Sequence, residues 1–267
     1  MLAAIICSPA VFLPGTGADT MQIVGLVALA CAALTVFEYS SVYPSLVEFR
    51  DAAPYNRIRF LLLATLVLSL SLAAIAPFEP TVLNRLLVAL GQAIAGELDF
   101  SYSPLHLMMQ SLPAHAAPET QRLVGALAGL ALGISLIGVA IFLLVFRVMG
   151  WPGGQERFNI WINLPTFDPT MGGDVVERLR RDAWVNTSLG LVCPFLMPVA
   201  LKLVSIAFPS MMPASQHALI WVVTAWAFLP ALLVMRGVAL GRVSALIAQR
   251  RRSARAAGEE DGQYQTA

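Results

Sequence analysis

In the apolar stretch "GLVCPFLMPVALK", Gly190, Pro194, Pro198 and Lys202 follow one another at intervals of four residues. Four residues is slightly more than one helical turn, so the positions drift only modestly around a helix. Each proline lacks an amide hydrogen and disturbs the turn before it, which frees carbonyls near Gly190 and Pro194. Inside a membrane, freed carbonyls can bind an ion or polar solute. Equally, serine, water or a neighbouring helix can satisfy them, leaving a kinked packing helix. Lys202 raises the same choice. An intramembrane ammonium is a functional-site hypothesis by default. This one is near the end of its apolar run, where its stem can snorkel outward or its charge can pair with Glu97, Asp99 or Glu119. With Glu38, which closes an earlier apolar run, Pro194, Pro198 and Lys202 are the candidates for a substrate or ion pathway.

Other chemistry is sparse. His106 and His115 are nine residues apart in an irregular stretch, without the HExxH pattern of a helical metal site. His217 falls at the boundary of an apolar run, so no histidine is placed for a buried haem. Cys7, Cys31 and Cys193 form neither a metal motif nor a disulfide framework; apolar packing accounts for them. No nucleophile and base, and no cluster of acidic metal ligands, occur in register. Catalytic residues, metals and cofactors are therefore not predicted. The glycines of "WPGG" and "MGG" lack the spacing of a phosphate loop.

The elements that must position these residues are set by composition. The 267 residues are 58% hydrophobic and 12% charged, where soluble domains carry about 25% charged residues. The bilayer is the solvent that reconciles this deficit. Five runs, roughly 21–37, 58–76, 124–146, 187–208 and 218–235, approach or exceed the length needed to cross about 30 Å of hydrocarbon. Backbone groups in lipid need internal partners, so these runs should be helices. The fold class expected is all-α: a polytopic membrane bundle of five transmembrane helices with one additional interfacial or re-entrant helix. That helix comes from "TVLNRLLVALGQAIAGEL", whose helical apolar spacing is interrupted by Asn84, Arg85 and Gln92.

Of the 17 Lys and Arg residues, nearly all lie after the first, third and fifth runs. The positive-inside rule then puts the N-terminus outside and the C-terminus in the cytoplasm of a cell inner or plasma membrane. Residues 1–20 form an external segment without a basic leader region and read as interfacial. Residues 21–240 hold the membrane domain, with an external segment at 77–122 and a cytoplasmic one at 147–186; 241–267 is a cytoplasmic tail. In the 147–186 segment, Asp174 and Glu177 resemble a capping box that starts a helix whose arginines favour anionic lipid. The tail turns from basic to acidic and should lose order after Arg252. Its arginines suit anionic lipid, and nothing suits nucleic acid.

Two surfaces suggest association. Gly125, Gly129 and Gly133 recur every four residues and form a strip on which another helix can pack closely, in this chain or another. The stretch "FEYSSVYPSLVEFRDAAPYNRIRF" carries more aromatic and charged residues than an inner-face turn requires. Tyr43, Glu48, Arg50, Asp51 and Tyr55, with Trp151 and Trp161 from the second basic loop, are candidate docking residues for other membrane subunits or self-association. The expectation is a noncatalytic accessory, scaffold or assembly subunit surrounded by membrane lipid. The alternative is a transporter or channel subunit using the proline-broken fourth helix.

Overall fold

The computed structural model describes residues 1–112, 117–152, 159–168, 170, 172–207 and 215–264. His115 lies outside the described residues, as does the side chain of Trp161. Every regular element among them is helical: α1 (Leu2–Phe12), α2 (Ala18–Ser40), α3 (Tyr55–Ile75), α4 (Val82–Leu98), α5 (Pro104–Ser111), α6 (Pro118–Val148), α7 (Ile160–Asn163), α8 (Val175–Ala207) and α9 (Gln216–Tyr264). Helices α2, α3, α6, α8 and α9 are long and apolar enough to cross a membrane. The chain is thus an all-α, multi-pass membrane bundle.

The spans run beyond their apolar stretches at the arginine-rich end of the bundle. The basic stretch after Asp174 is not a separate helix but the first turns of α8, and Asp174 caps it by accepting from the Val176 amide at 3.2 Å. Likewise α9 carries the basic tail through Tyr264 instead of ending near Arg252. In both places a charged extension prolongs a helix that is already formed, so the costly first turn is not paid again.

Helix α6 lies centrally, touching α3, α4, α5 and α9, while α8 packs along α9. The α6 glycine strip finds its partner within the chain. A Cβ on Gly129 would strike the Gly91 carbonyl and come within 2.8 Å of the Ala95 amide, and one on Gly133 would meet Ile94 at 2.7 Å. The two backbones approach this closely because Gly91 and Gly129, which face each other's helix, carry no side chain. The same device joins α8 to α9, where a Cβ on Gly190 would lie 2.7 Å from the Pro230 carbonyl and one on Gly237 the same distance from that of Ala183.

Along the α4–α6 contact, residue numbers rise together, so the two helices run in the same direction. Helix α4 therefore re-enters the bundle from the end at which α3 left it. Its depth follows from α3: Leu62 and Thr65, near the middle of that span, share a groove with Ile134 and Gly138. Ser135 is consequently at mid-span. Phe100, Ser103 and Pro104, in the turn from α4 to α5, line a cavity with Ser135, so α4 and α5 form a re-entrant hairpin whose tip reaches mid-span. Caps shape both arms: Thr81 accepts from the Asn84 amide at 3.2 Å and Ser103 from the His106 amide at 2.9 Å. Pro104, at the first position of α5, sits where its missing donor costs nothing.

At the N-terminus, α1 turns back on α2 and also meets α3, burying Ile5, Ser8, Pro9 and Ala10. The 1–20 segment is thus packed against the bundle. Helix α2 is the outlier, since α1 is the only described helix it touches.

Candidate functional site

The residues proposed as a polar pathway are each engaged locally. Glu38 is 1% exposed because the loop after α2 folds over it. Its Oε2 accepts from the amides of Ser45, Leu46 and Val47 at 2.9, 2.8 and 3.0 Å, and its Oε1 from Ser45 Oγ at 2.6 Å. A carboxylate that accepts three consecutive amides acts as the scaffold of that loop. Lys202 Nζ reaches the Leu112 carbonyl at 3.4 Å, where α5 ends; Glu97, Asp99 and Glu119 are not among its described partners. Helix α8 stays continuous through both prolines. Pro198 deprives the Pro194 carbonyl of its helical donor, and Trp226 of α9 replaces it, Nε1 to oxygen at 2.9 Å. The neighbouring helix thereby satisfies the break.

At the arginine-rich end, the 37–60 stretch becomes the knot that ties the bundle. Arg236 of α9 grips Glu48 with two bonds, Nε to Oε2 at 2.6 Å and Nη2 to Oε1 at 2.7 Å, the fork geometry that suits guanidinium and carboxylate. Thr166 adds a third at 2.8 Å, and the Asn56 amide holds the Glu48 carbonyl at 2.8 Å. The Phe49 amide donates to the Asn163 carbonyl at 2.7 Å and the Asp51 amide to its side chain at 3.2 Å, joining this loop to α7. Arg50 donates to the carbonyls of Glu38 and Ser41 and pairs with Asp51. Beneath lies an aromatic cluster: Phe49 is 4.4 Å from Tyr55 between centroids, Phe142 3.9 Å from Phe146, and Phe146 4.3 Å from Trp151. Phe49 holds a left-handed φ of 53°, a conformation disfavoured outside glycine that its burial on all sides sustains.

Of the docking candidates, Glu48, Tyr55 and Trp151 are therefore buried and the Arg50 side chain nearly so. They bind this chain to itself. Tyr43 and Asp51 remain at the surface, Tyr43 beside exposed Val42 and Leu46. Trp161 belongs to α7.

A second clasp ties the α9 tail to the start of α8. Arg251 Nη1 meets Asp174 Oδ1 at 2.5 Å, and Ser244 Oγ donates to the Val176 carbonyl at 3.0 Å. The Arg251 guanidinium, followed by the Val176 amide, holds the Asp174 carboxyl below its ordinary value. A carboxyl depressed by folding stabilises the clasp at any pH above the ordinary carboxylate range, and the contribution fades as pH falls through its lowered value. Spin labels at positions 172 and 254 should show a narrow distance distribution at neutral pH that broadens as the pH falls below the ordinary carboxylate range. An unchanged distribution at both would show that Asp174 does not hold the tail.

Sequence reasoning considered His106 and Asp99 separately and did not pair them. At the hairpin tip, His106 Nδ1 lies 2.7 Å from Asp99 Oδ1 and its Nε2 2.9 Å from Gln110 Nε2. With the proton on Nδ1, the imidazole donates to the carboxylate and accepts from the amide. His106 and Gln110 share a helix face at a spacing of four, which was legible; the depth to which the hairpin carries them was not. Among the described residues no three His, Cys, Asp or Glu side chains gather as a metal site. The chain matches no protein-family model, no curated protein and no solved structure with which it was compared.

Proposed function

We propose that the chain is a noncatalytic accessory, scaffold or assembly subunit of a larger membrane complex, with its arginine-rich end in the cytoplasm. The isolation of α2 carries this reading. In an apolar 18-residue stretch of that span only 6% of residues are buried, against 11% for α8 and 44% for α3. Helix association in lipid depends on close packing, and α2 offers Ile23, Leu26, Leu29 and Phe37 with no described helix of this chain across from them. At the end of the same helix, exposed Val42, Tyr43 and Leu46 extend the surface into the headgroup zone. The excess of arginine at this end favours the cytoplasmic side.

The test is native purification in a lipid-preserving medium with a photo-crosslinking residue at Leu29, and at the fully buried Leu66 as control. Stoichiometric membrane proteins joined through Leu29 alone are the expected result. A protein that is monomeric in native mass and crosslinks only lipid at Leu29 would refute the reading.

One observation favours a second reading, a transporter or channel subunit. The Asp99–His106 pair is carried to the tip of a re-entrant hairpin at mid-span, and ionisable groups at such depth mark ion or proton routes in membrane proteins. A homo-oligomer that passes an ion in sealed vesicles, and loses the flux on Asp99→Asn, would put this reading first.

A further inference from the structure

At the arginine-rich end a cavity of about 460 Å³ opens between the last turn of α2, the loop that follows it, α3 and α9. That volume is in the range that holds a small-molecule group. Helix α2 makes no contact with α3 or α9, so the space is a gap between spans, bounded on the loop side by Leu46 and Val47.

The wall divides by depth. Glu48, Asn56, Arg59 and Arg236 line it at the membrane surface. Below them Phe60 and Leu63 follow Arg59 into α3, and Leu232 and Phe228 lie about one and two turns deeper in α9 than Arg236. A polar mouth above an apolar wall matches a phospholipid entering headgroup uppermost.

Charge narrows the class. Arg236 spends Nε and Nη2 on Glu48; its Nη1 has no described partner and is not buried. Arg59 has no carboxylate among the described residues. Its Nη1 donates to Asn56 Oδ1 at 3.3 Å, and its guanidinium lies 5.1 Å from the centre of the Tyr55 ring. Nearby Glu38 offers no relief, since its oxygens are taken by three amides and the Ser45 hydroxyl beneath the loop. Among the groups that line the cavity, two guanidiniums thus stand against one carboxylate. A partly buried charge is costly unless paired, and the anion that the bilayer supplies at this depth is a lipid phosphate. A choline or ethanolamine headgroup would bring its own cation and restore the excess, whereas an anionic headgroup neutralises it.

We propose that an anionic glycerophospholipid occupies this gap, its phosphate on Arg59 and Arg236 Nη1 and an acyl chain along Phe60, Leu63, Phe228 and Leu232. Tyr39 of the cavity wall and Phe37 of the exposed α2 surface are separated by about 200° around the helix. Lipid here therefore leaves the face assigned to a protein partner free, and the two readings stand or fall separately.

The test is native mass spectrometry of the full chain in a non-ionic detergent, titrated with dioleoyl phosphatidylglycerol or dioleoyl phosphatidylcholine. A single phosphatidylglycerol is expected to bind about tenfold more tightly than phosphatidylcholine, the worth of a charge-assisted contact. Arg59→Gln should erase that preference. Arg57→Gln, at an exposed arginine that does not line the cavity, should keep it. Leu232→Trp, which fills the apolar wall, should weaken both lipids. Helical content and elution volume would verify that each variant folds. Equal affinity for the two lipids would overturn the site, as would equal losses in the two arginine variants, which would mark general surface attraction. Leu232→Trp binding as tightly as wild type would do the same. Displacement of the lipid by inorganic phosphate at equal concentration would make the ligand a free anion and also overturn the proposal.

Discussion

Gly91→Ala is expected to destabilise the bundle by on the order of 3 kcal/mol, although alanine is the better helix former by about 1 kcal/mol. The added methyl would point at the Ala126 carbonyl of α6. Backbone meets backbone there, so no rotamer can relieve the overlap and the hairpin must lift from its seat. Gly96→Ala is the matched control: it is in the same helix, and its Cβ would have nothing within 4 Å. That variant should be neutral or slightly stabilised. Reversible unfolding in mixed micelles measures both. Equal midpoints for the two would mean that α4 does not rest on the α6 strip, and the depth assigned to the hairpin would fall with it.

The second large effect concerns Glu48 and Arg236. Truncating either to alanine should cost about 2–4 kcal/mol, toward the lower end of the range for breaking a buried pair, because Arg236 retains some exposure. Arg236→Ala strands a carboxylate that is 10% exposed, leaving it Thr166 alone. Glu48→Ala strands a guanidinium at the edge of the hydrocarbon. The double variant Glu48→Leu with Arg236→Met should recover much of the loss, since it removes both charges together. A double-mutant cycle in the same micelle assay reads the coupling, expected to exceed about 1 kcal/mol. Additive single effects would reduce the pair to a surface contact.

These two sites show where sequence reasoning stops. The Gly125, Gly129 and Gly133 strip was visible as a packing surface, but its partner was not. Helix α4, interrupted by Asn84, Arg85 and Gln92, has too short an unbroken apolar run to announce itself inside a membrane. It is admitted there because Gly91 and Ala95 fit the strip, with Asn84 turned inward to the Glu79 carbonyl at 2.7 Å. The same limit hid His106, which chain position places outside every span and the hairpin carries to mid-span. For residues 37–60, the density of aromatic and charged groups exceeded what an inner-face turn requires and pointed to a docking surface. Whether those groups faced a partner or their own chain depended on Arg236, 188 residues from Glu48.

What the sequence determined by itself is the solvent and the crossings: 58% hydrophobic residues in runs of spanning length, and arginines gathered at one end. Those are sums over neighbouring residues, and transfer from water to lipid is nearly additive along a chain. The tertiary structure alone decided that Glu38 would fasten a loop, that Trp226 would take up the Pro194 carbonyl, that Glu48 would pair with Arg236, and that α2 would touch only α1 among the described helices. Each of these depends on which surface meets which across long sequence separations. Inside lipid that choice rests on shape and polar matching between helices, because the hydrophobic force that drove them into the membrane no longer distinguishes one apolar face from another.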